Sequence, residues 1–83
     1  MSYQLVYTQQ AVKDIRDLDR IVQKRLAKKL EHLRIKPLAL SKPLIHSKLG
    51  QYRYRIGDYR VIFDLDKNNL IILRVGHRRE IYR

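Results

Sequence analysis

Between residues 51 and 82 the chain reads QYRYRIGDYRVIFDLDKNNLIILRVGHRREIY, and apolar and charged side chains alternate through most of it. A period of two belongs to strands with one dry face and one wet face, and a helix cannot present it. Tyr52, Tyr54 and Ile56 fall on one side of the first run, Arg53 and Arg55 on the other. After Gly57-Asp58 the alternation resumes, with Tyr59, Val61, Phe63 and Leu65 sharing one side and Arg60, Ile62 and Asp64 the opposite one. Asp66-Lys67-Asn68-Asn69 is rich in turn formers. Leu70 to Val75 is nearly all apolar, which suits an interior strand covered on both faces.

Turn geometry sharpens this. A two-residue loop at Gly57-Asp58 sets Ile56 opposite Tyr59 and Arg55 opposite Arg60. Arg53 lies two residues from Arg55, on the same face. Closing the second turn symmetrically about Lys67-Asn68 sets Arg60 opposite Val75, with His77 diagonal to it. One sheet face is therefore expected to carry Arg53, Arg55, Arg60 and His77 together. Like charges directly opposite each other destabilise a sheet, and such local conflicts tend to mark function. The functional reading is an anion site; the other is a solvated face whose arginines serve only solubility.

The rest of the chain supplies what the strands must pack on. Tyr3 to Tyr7 reads as a short strand. Thr8 suits a helix N-cap, and Ala11, Val12, Ile15 and Leu18 recur at helical spacing over residues 9–18. Asp19 can cap a second helix over residues 20–36, with Val22, Leu26, Leu30 and Leu33 as its stripe and Pro37 as its end. Residues 37–50 read as a loop anchored by leucines and Ile45, with His46 a polar surface residue. The expectation is one α+β domain, residues 1–83, in the order β-α-α-β-β-β. A helical hairpin would pack on one face of a small, mainly antiparallel sheet. The opposite face combines the arginines with Ile62, Ile71, Leu73 and Val75, and no later segment is left to cover those four. They are read as a docking patch for a partner segment, an amphipathic helix being one form for it.

Composition narrows the partner. Nineteen Lys and Arg stand against eight Asp and Glu, a formal charge of +11 on 83 residues. Such an excess predicts attraction to nucleic acid or another polyanion. Between Arg20 and Lys48 lie nine cations and one acid, Glu31. Lys24, Lys28 and Lys29 of this stretch form either a solvated helix face or a second phosphate-tracking surface. There is no cysteine, hence no disulfide or thiolate metal site. No signal peptide or membrane-length apolar run is present, so a cytoplasmic protein is expected. No paired carboxylates, Ser/His/Asp set, Gly-rich phosphate loop or metal-ligand spacing occurs, and no cofactor is expected. Clustered guanidiniums can bind phosphate and stabilise the extra charge of a pentavalent transition state. Arginine cannot readily serve as a base, which leaves His77 and Tyr82 for proton transfer; Tyr82 could also stack on a base.

The element order, the segment YRYRIGDYRVIFDL and the ending VGHRREIYR together resemble the RelE/ParE superfamily of bacterial toxins, and more narrowly the RelE-type endoribonucleases. The likeness covers nearly the whole chain. It implies a toxin that cleaves messenger RNA in the ribosomal A site, without metal. The RNA's own 2′-hydroxyl attacks, leaving a cyclic phosphate and a free 5′-hydroxyl. It also implies a RelB-like antitoxin as partner, and a toxin–antitoxin hetero-oligomer that sits on operator DNA through the antitoxin. By the same resemblance Arg53 and Arg55 hold the scissile region, while Arg60, Arg78 and the closing Tyr82 match catalytic positions. Some relatives carry lysine where this chain has Arg53 and Arg55, which removes groups that lose a proton easily. The base stays open between His77 and Tyr82. Rival readings are a ParE-like poison of DNA gyrase and a plain nucleic-acid-binding module.

Overall fold

A computed structural model describes residues 2–45 and 47–81. The expectations for His46 and Tyr82, including a short extension at Ile81-Tyr82, lie outside the described residues. The order is β1 (Gln4–Tyr7), α1 (Gln9–Arg16), α2 (Arg20–Leu33), α3 (Pro37–Leu40), β2 (Lys42–Pro43), β3 (Tyr52–Ile56), β4 (Tyr59–Asp66), β5 (Asn69–His77) and α4 (Arg78–Ile81). The strands form one mixed sheet in the order β1-β5-β4-β3-β2, parallel only between β1 and β5. This is the expected α+β hairpin-on-sheet architecture, with three short elements added. Pro37 does more than end a helix. α2 stops at Leu33, Lys36 is steered out of the helical region, and Pro37 opens α3 at a position where its missing N–H costs nothing. α1 likewise stops at Arg16, short of Leu18. Thr8 caps it as expected, its side chain accepting from the Ala11 N–H, whereas Asp19 occupies the N-cap position of α2 without a side-chain bond.

The core lies between the helical hairpin and one sheet face. Leu26, Leu30 and Leu33 of α2 and Ala11 of α1 meet Tyr54, Ile56, Val61, Phe63, Leu70 and Ile72. Phe63 is fully buried, with Tyr52 stacked on it at 5.5 Å between ring centres. Each fully buried side chain of this size contributes roughly 1.5–3 kcal/mol. One facing pair of cations, costing up to about 1 kcal/mol, is well within what such a core tolerates.

Both turns close as expected. Ile56 faces Tyr59, Arg55 faces Arg60, and from Asp66↔Asn69 the pairs run to Phe63↔Ile72. There the register slips: Ile62 faces Arg74, and Leu73 is the extra residue on β5. One inserted residue sends every later side chain to the other face. Arg60 therefore faces Gly76 rather than Val75, and Val75 joins the helix-side core.

The second correction concerns the opposite face, which is partly covered. Ile62 is 0% exposed and Ile71 and Leu73 are half-buried, while Val75 has left this face for the core. The chain before β3 lies across this face, with the Gly50 backbone against Ile62 and Leu73. The Gln51 N–H donates to Asp64 Oδ1 (2.8 Å) and the Leu65 N–H donates to Gln51 Oε1 (3.0 Å). Ile62 is thus a packing residue under the chain itself and Val75 a residue of the helix-side core, so that of the four only the half-buried Ile71 and Leu73 keep surface on this face.

β1 ends at Tyr7, opposite Ile72, and beyond it α1 seals the edge of β5. Asp14 Oδ2 accepts from the Val75 N–H (3.0 Å) and from Arg74 Nε (2.8 Å), and Asp14 Oδ1 accepts from Gln10 (2.9 Å). Burial pushes the Asp14 carboxyl up, but the hydrogen bonds from Arg74, Val75 and Gln10 outweigh it and hold the group below its ordinary value. A depressed carboxylate stabilises the fold above its unfolded pKa, and that contribution is lost as pH falls through the folded value. Arg74 is 40% exposed, so solvent screens the pair. Asp14→Asn should therefore cost only about 1 kcal/mol at neutral pH. In thermal unfolding from pH 7 downward, the gap between variant and wild type should close once Asp14 protonates. A gap that persists at pH 2 would mean the carboxylate's charge is not what matters.

Candidate phosphate-binding cleft

Alternation on β3 puts Arg53 and Arg55 on the face away from the helices, and antiparallel pairing puts Arg60 beside Arg55 on that face. β2 adds a fourth cation, since Lys42 lies directly across from Arg53. Together with Leu40 at the end of α3, these four line a cleft of about 120 Å³ without a carboxylate in its wall. Arg53, Arg55 and Lys42 are exposed, but Arg60 is only 8% exposed. Its Nη1 donates to the carbonyls of Gly57 (3.1 Å) and Tyr59 (3.0 Å), which fix the guanidinium against the hairpin. Gly57 takes a positive φ of 59°, so the tight turn that presents this carbonyl suits glycine.

A buried charge normally sits against an opposite one, because leaving it unpaired costs several kcal/mol. Among the described residues the ion pairs are Arg34–Glu31 and Arg74–Asp14, and neither touches this cleft. Arg60 is held by neutral carbonyls, so its charge stays available to an incoming anion. Fixed guanidiniums at close quarters suit phosphate oxygens, which they grip in a bidentate way.

The hairpin tip gathers further cations. The Arg78 N–H donates to the Asp58 carbonyl (2.9 Å), so α4 starts at the turn whose Gly57 carbonyl Arg60 holds. Gly76, paired with Arg60, lies under Ile81, whose Cβ would be 3.8 Å from a Cβ at that position. The α4 turn thus folds back beside the Arg60 end of the sheet. On the α2 side, Arg25 Nη1 would stand 3.8 Å from a Cβ at Gly57.

His77 does not join this row. The slip at Leu73 sets it directly opposite Tyr59, their rings edge-on at 5.6 Å, on the face away from Arg60. Its Nδ1 accepts from the Arg79 N–H at 3.2 Å, and its ring lines a different hollow with Asp14, Asp17, Asp19 and Glu80. Lys24, Lys28 and Lys29 are exposed on α2 and do not line the cleft. Lys24 and Lys28 stand on the side opposite the buried Leu26, Leu30 and Leu33 and so point away from the sheet. Lys42 is the cleft residue that the sequence reading missed. Pro43 argued against a strand there, yet an edge strand tolerates proline. Among the described residues no cluster of three or more His, Asp or Glu is placed to hold a metal ion. No helix there is long and apolar enough to cross a membrane.

A two-helix hairpin lies on a five-stranded mixed sheet, with a basic cleft on the far face that holds a buried Arg60 without an ion-pair partner among the described residues. Residues 5–82 match the model of the ParE toxin of type II toxin–antitoxin systems. The chain therefore belongs to that toxin family, within the RelE/ParE superfamily. It is 36% identical over 74 residues to toxin RelG of Mycobacterium tuberculosis, spanning 82% of this chain and 85% of the relative. Among solved structures it is similar to the RelBE2 toxin–antitoxin complex of M. tuberculosis, at 28% identity and TM-score 0.86 over 94% of this chain and 100% of the other. It is also similar to the RelE–RelB complex of Pyrococcus horikoshii, at 25% identity and TM-score 0.77 over 96% and 99%.

Proposed function

We propose that this chain is a ribosome-dependent messenger-RNA endoribonuclease of the cytoplasm, neutralised by a RelB-like antitoxin. The observation that carries this reading is the cleft itself, with Arg53, Arg55 and Lys42 around a buried Arg60 that no carboxylate among the described residues neutralises. The scissile phosphate sits against Arg60, with Arg53 and Arg55 on the flanking phosphates and Arg78 closing the hairpin end. The RNA's 2′-oxygen attacks phosphorus and loses its proton, the bond from phosphorus to the 5′-oxygen breaks, and that oxygen takes up a proton. A cyclic phosphate and a 5′-hydroxyl remain. Arg60 stabilises the charge that builds on the phosphoryl oxygens, the role of a preorganised donor. With His77 on the other face, Tyr82, acting as its phenolate, takes the 2′ proton in this reading. Two solved relatives contain RelB antitoxins, which supports an antitoxin partner for this chain as well.

The test is induction of the protein in cells, with mapping of message ends on ribosomes and of gyrase-linked DNA breaks in parallel. Messages cut within the A-site codon and carrying 5′-hydroxyls are expected. The matched family model describes a ParE toxin, so the gyrase reading is the second one; DNA breaks with intact messages would establish it and overturn the nuclease.

The helix lysines have a separate test. Binding to single-stranded RNA should weaken with salt at a log–log slope near −0.7 per phosphate contacted. Replacing Lys24, Lys28 and Lys29 together by glutamine should lower ribosome binding and flatten that slope by about two units or fewer, since Lys24 and Lys28 face away from the cleft. An unchanged slope would make that helix side merely solvated.

A further inference from the structure

Cleavage by 2′ attack needs two proton movements, one from the 2′-hydroxyl and one to the departing 5′-oxygen. The cleft wall offers Leu40, Lys42, Arg53, Arg55 and Arg60. Leucine carries no transferable proton, and guanidinium does not release one in proteins. Among the described residues of that wall, an ammonium is the one group that can give up a proton. Its placement is built into the fold. Lys42 pairs with Arg53 and Pro43 with Tyr52, and the Leu44 N–H continues the ladder to the Gln51 carbonyl at 2.9 Å. Just before β2, Ser41 Oγ donates to the Pro37 carbonyl at 2.6 Å, tying α3 to the strand. Cross-strand pairing places the Lys42 side chain over the same face as Arg53 and Arg55. Leu40 supplies an apolar wall of the same cleft.

We propose that Lys42 is the general acid of the cleft, donating its ammonium proton to the 5′-oxygen as the phosphorus–oxygen bond breaks. The Tyr82 phenolate takes the proton lost by the 2′-hydroxyl as Lys42 delivers its own; after product leaves, Tyr82 gives its proton up to solvent and neutral Lys42 regains one from solvent. The proposal rests on the nuclease reading and adds the residue that reading lacks. Lys42 stands directly across from Arg53 and supplies the transferable proton that Arg53 and Arg55 do not.

The test compares two model RNAs in single-turnover cleavage on programmed ribosomes. One carries the natural 5′-oxygen at the scissile bond, the other a bridging 5′-sulfur, which leaves as a thiolate without a proton. Lys42→Arg keeps the charge and the reach but not the transferable proton. It should cut the natural RNA at least about 100-fold more slowly than wild type, the usual scale of general acid catalysis. It should cleave the sulfur RNA within about threefold of wild type. Tyr82→Phe should stay slow on both, because its defect lies at the 2′ side. Lys42→Arg cleaving the natural RNA at the wild-type rate, or being equally slow on both RNAs, overturns the assignment while the nuclease reading stands. Wild-type protein that cleaves neither RNA overturns the nuclease reading, and the role of Lys42 with it.

Discussion

Arg60→Ala is expected to abolish toxicity and slow cleavage by at least about 100-fold, the scale on which a single preorganised transition-state donor acts. Arg60 combines burial, fixation and the lack of an anionic partner among the described residues. Its guanidinium is held on the Gly57 and Tyr59 carbonyls and is 8% exposed, so it waits in place at no cost in side-chain freedom. The loss should fall on catalysis and not on folding. Truncation forfeits two hydrogen bonds to carbonyls, each worth about 1 kcal/mol, but removes one of two facing cations, since Arg55 lies directly opposite. A stability change within about 1 kcal/mol of wild type in urea unfolding is the expected outcome. Arg60→Lys restores the charge but not the fork that holds two carbonyls and a phosphate at once, so it should recover only part of the rate. A folded Arg60→Ala protein that cleaves at the wild-type rate would remove Arg60 from the mechanism.

The arginine row was legible because it depends on local rules only. A glycine-led two-residue turn dictates the register of β3 against β4, and alternation does the rest. His77 and Val75 were misplaced because a bulge breaks the same rule once. A signal was present. Continuing the alternation from Leu70 and Ile72 would have put Arg74 into the core and Val75 outside. A strand that avoids this must slip by one residue, as β5 does at Leu73. The partly covered second face was harder to foresee, since it depends on the course of the chain just before β3, where few periodic residues carry directional information. The same gap hid Lys42. Its strand is two residues long and is defined by the β3 strand it borders, not by its own composition. The outward lysines of α2 follow from helical phase, once the stripe of Leu26, Leu30 and Leu33 is placed against the sheet.

Gly50 should be the most sensitive position on that second face. A Cβ there would lie 2.7 Å from Ile62 Cγ2, 2.7 Å from Leu73 Cδ1 and 3.3 Å from Asp64 Oδ1. Ile62 is fully buried and β-branched in a central strand, so its Cγ2 has little room to yield. Leu73 is half-buried and ends a more flexible side chain, so it can give way in part. Gly50→Ala should therefore cost about 1–3 kcal/mol, the range for forcing a methyl into a packed site. An 83-residue domain has a total stability on the order of 5–10 kcal/mol, so this is a large share of it. The strain should also be felt in the cleft. Lifting residues 49–51 loosens the bond from the Gln51 N–H to Asp64 and the ladder from the Leu44 N–H to the Gln51 carbonyl. That ladder holds Lys42 opposite Arg53. Urea unfolding of Gly50→Ala, Leu73→Ala and the double variant separates contact from general damage. If the clash is the cause, removing Leu73 Cδ1 opens space for the new methyl. The double variant should then be at least about 0.5 kcal/mol more stable than the sum of the single losses predicts. Strict additivity would mean that Gly50 matters for its backbone alone, and that the close approach to Leu73 does not limit what this position can hold.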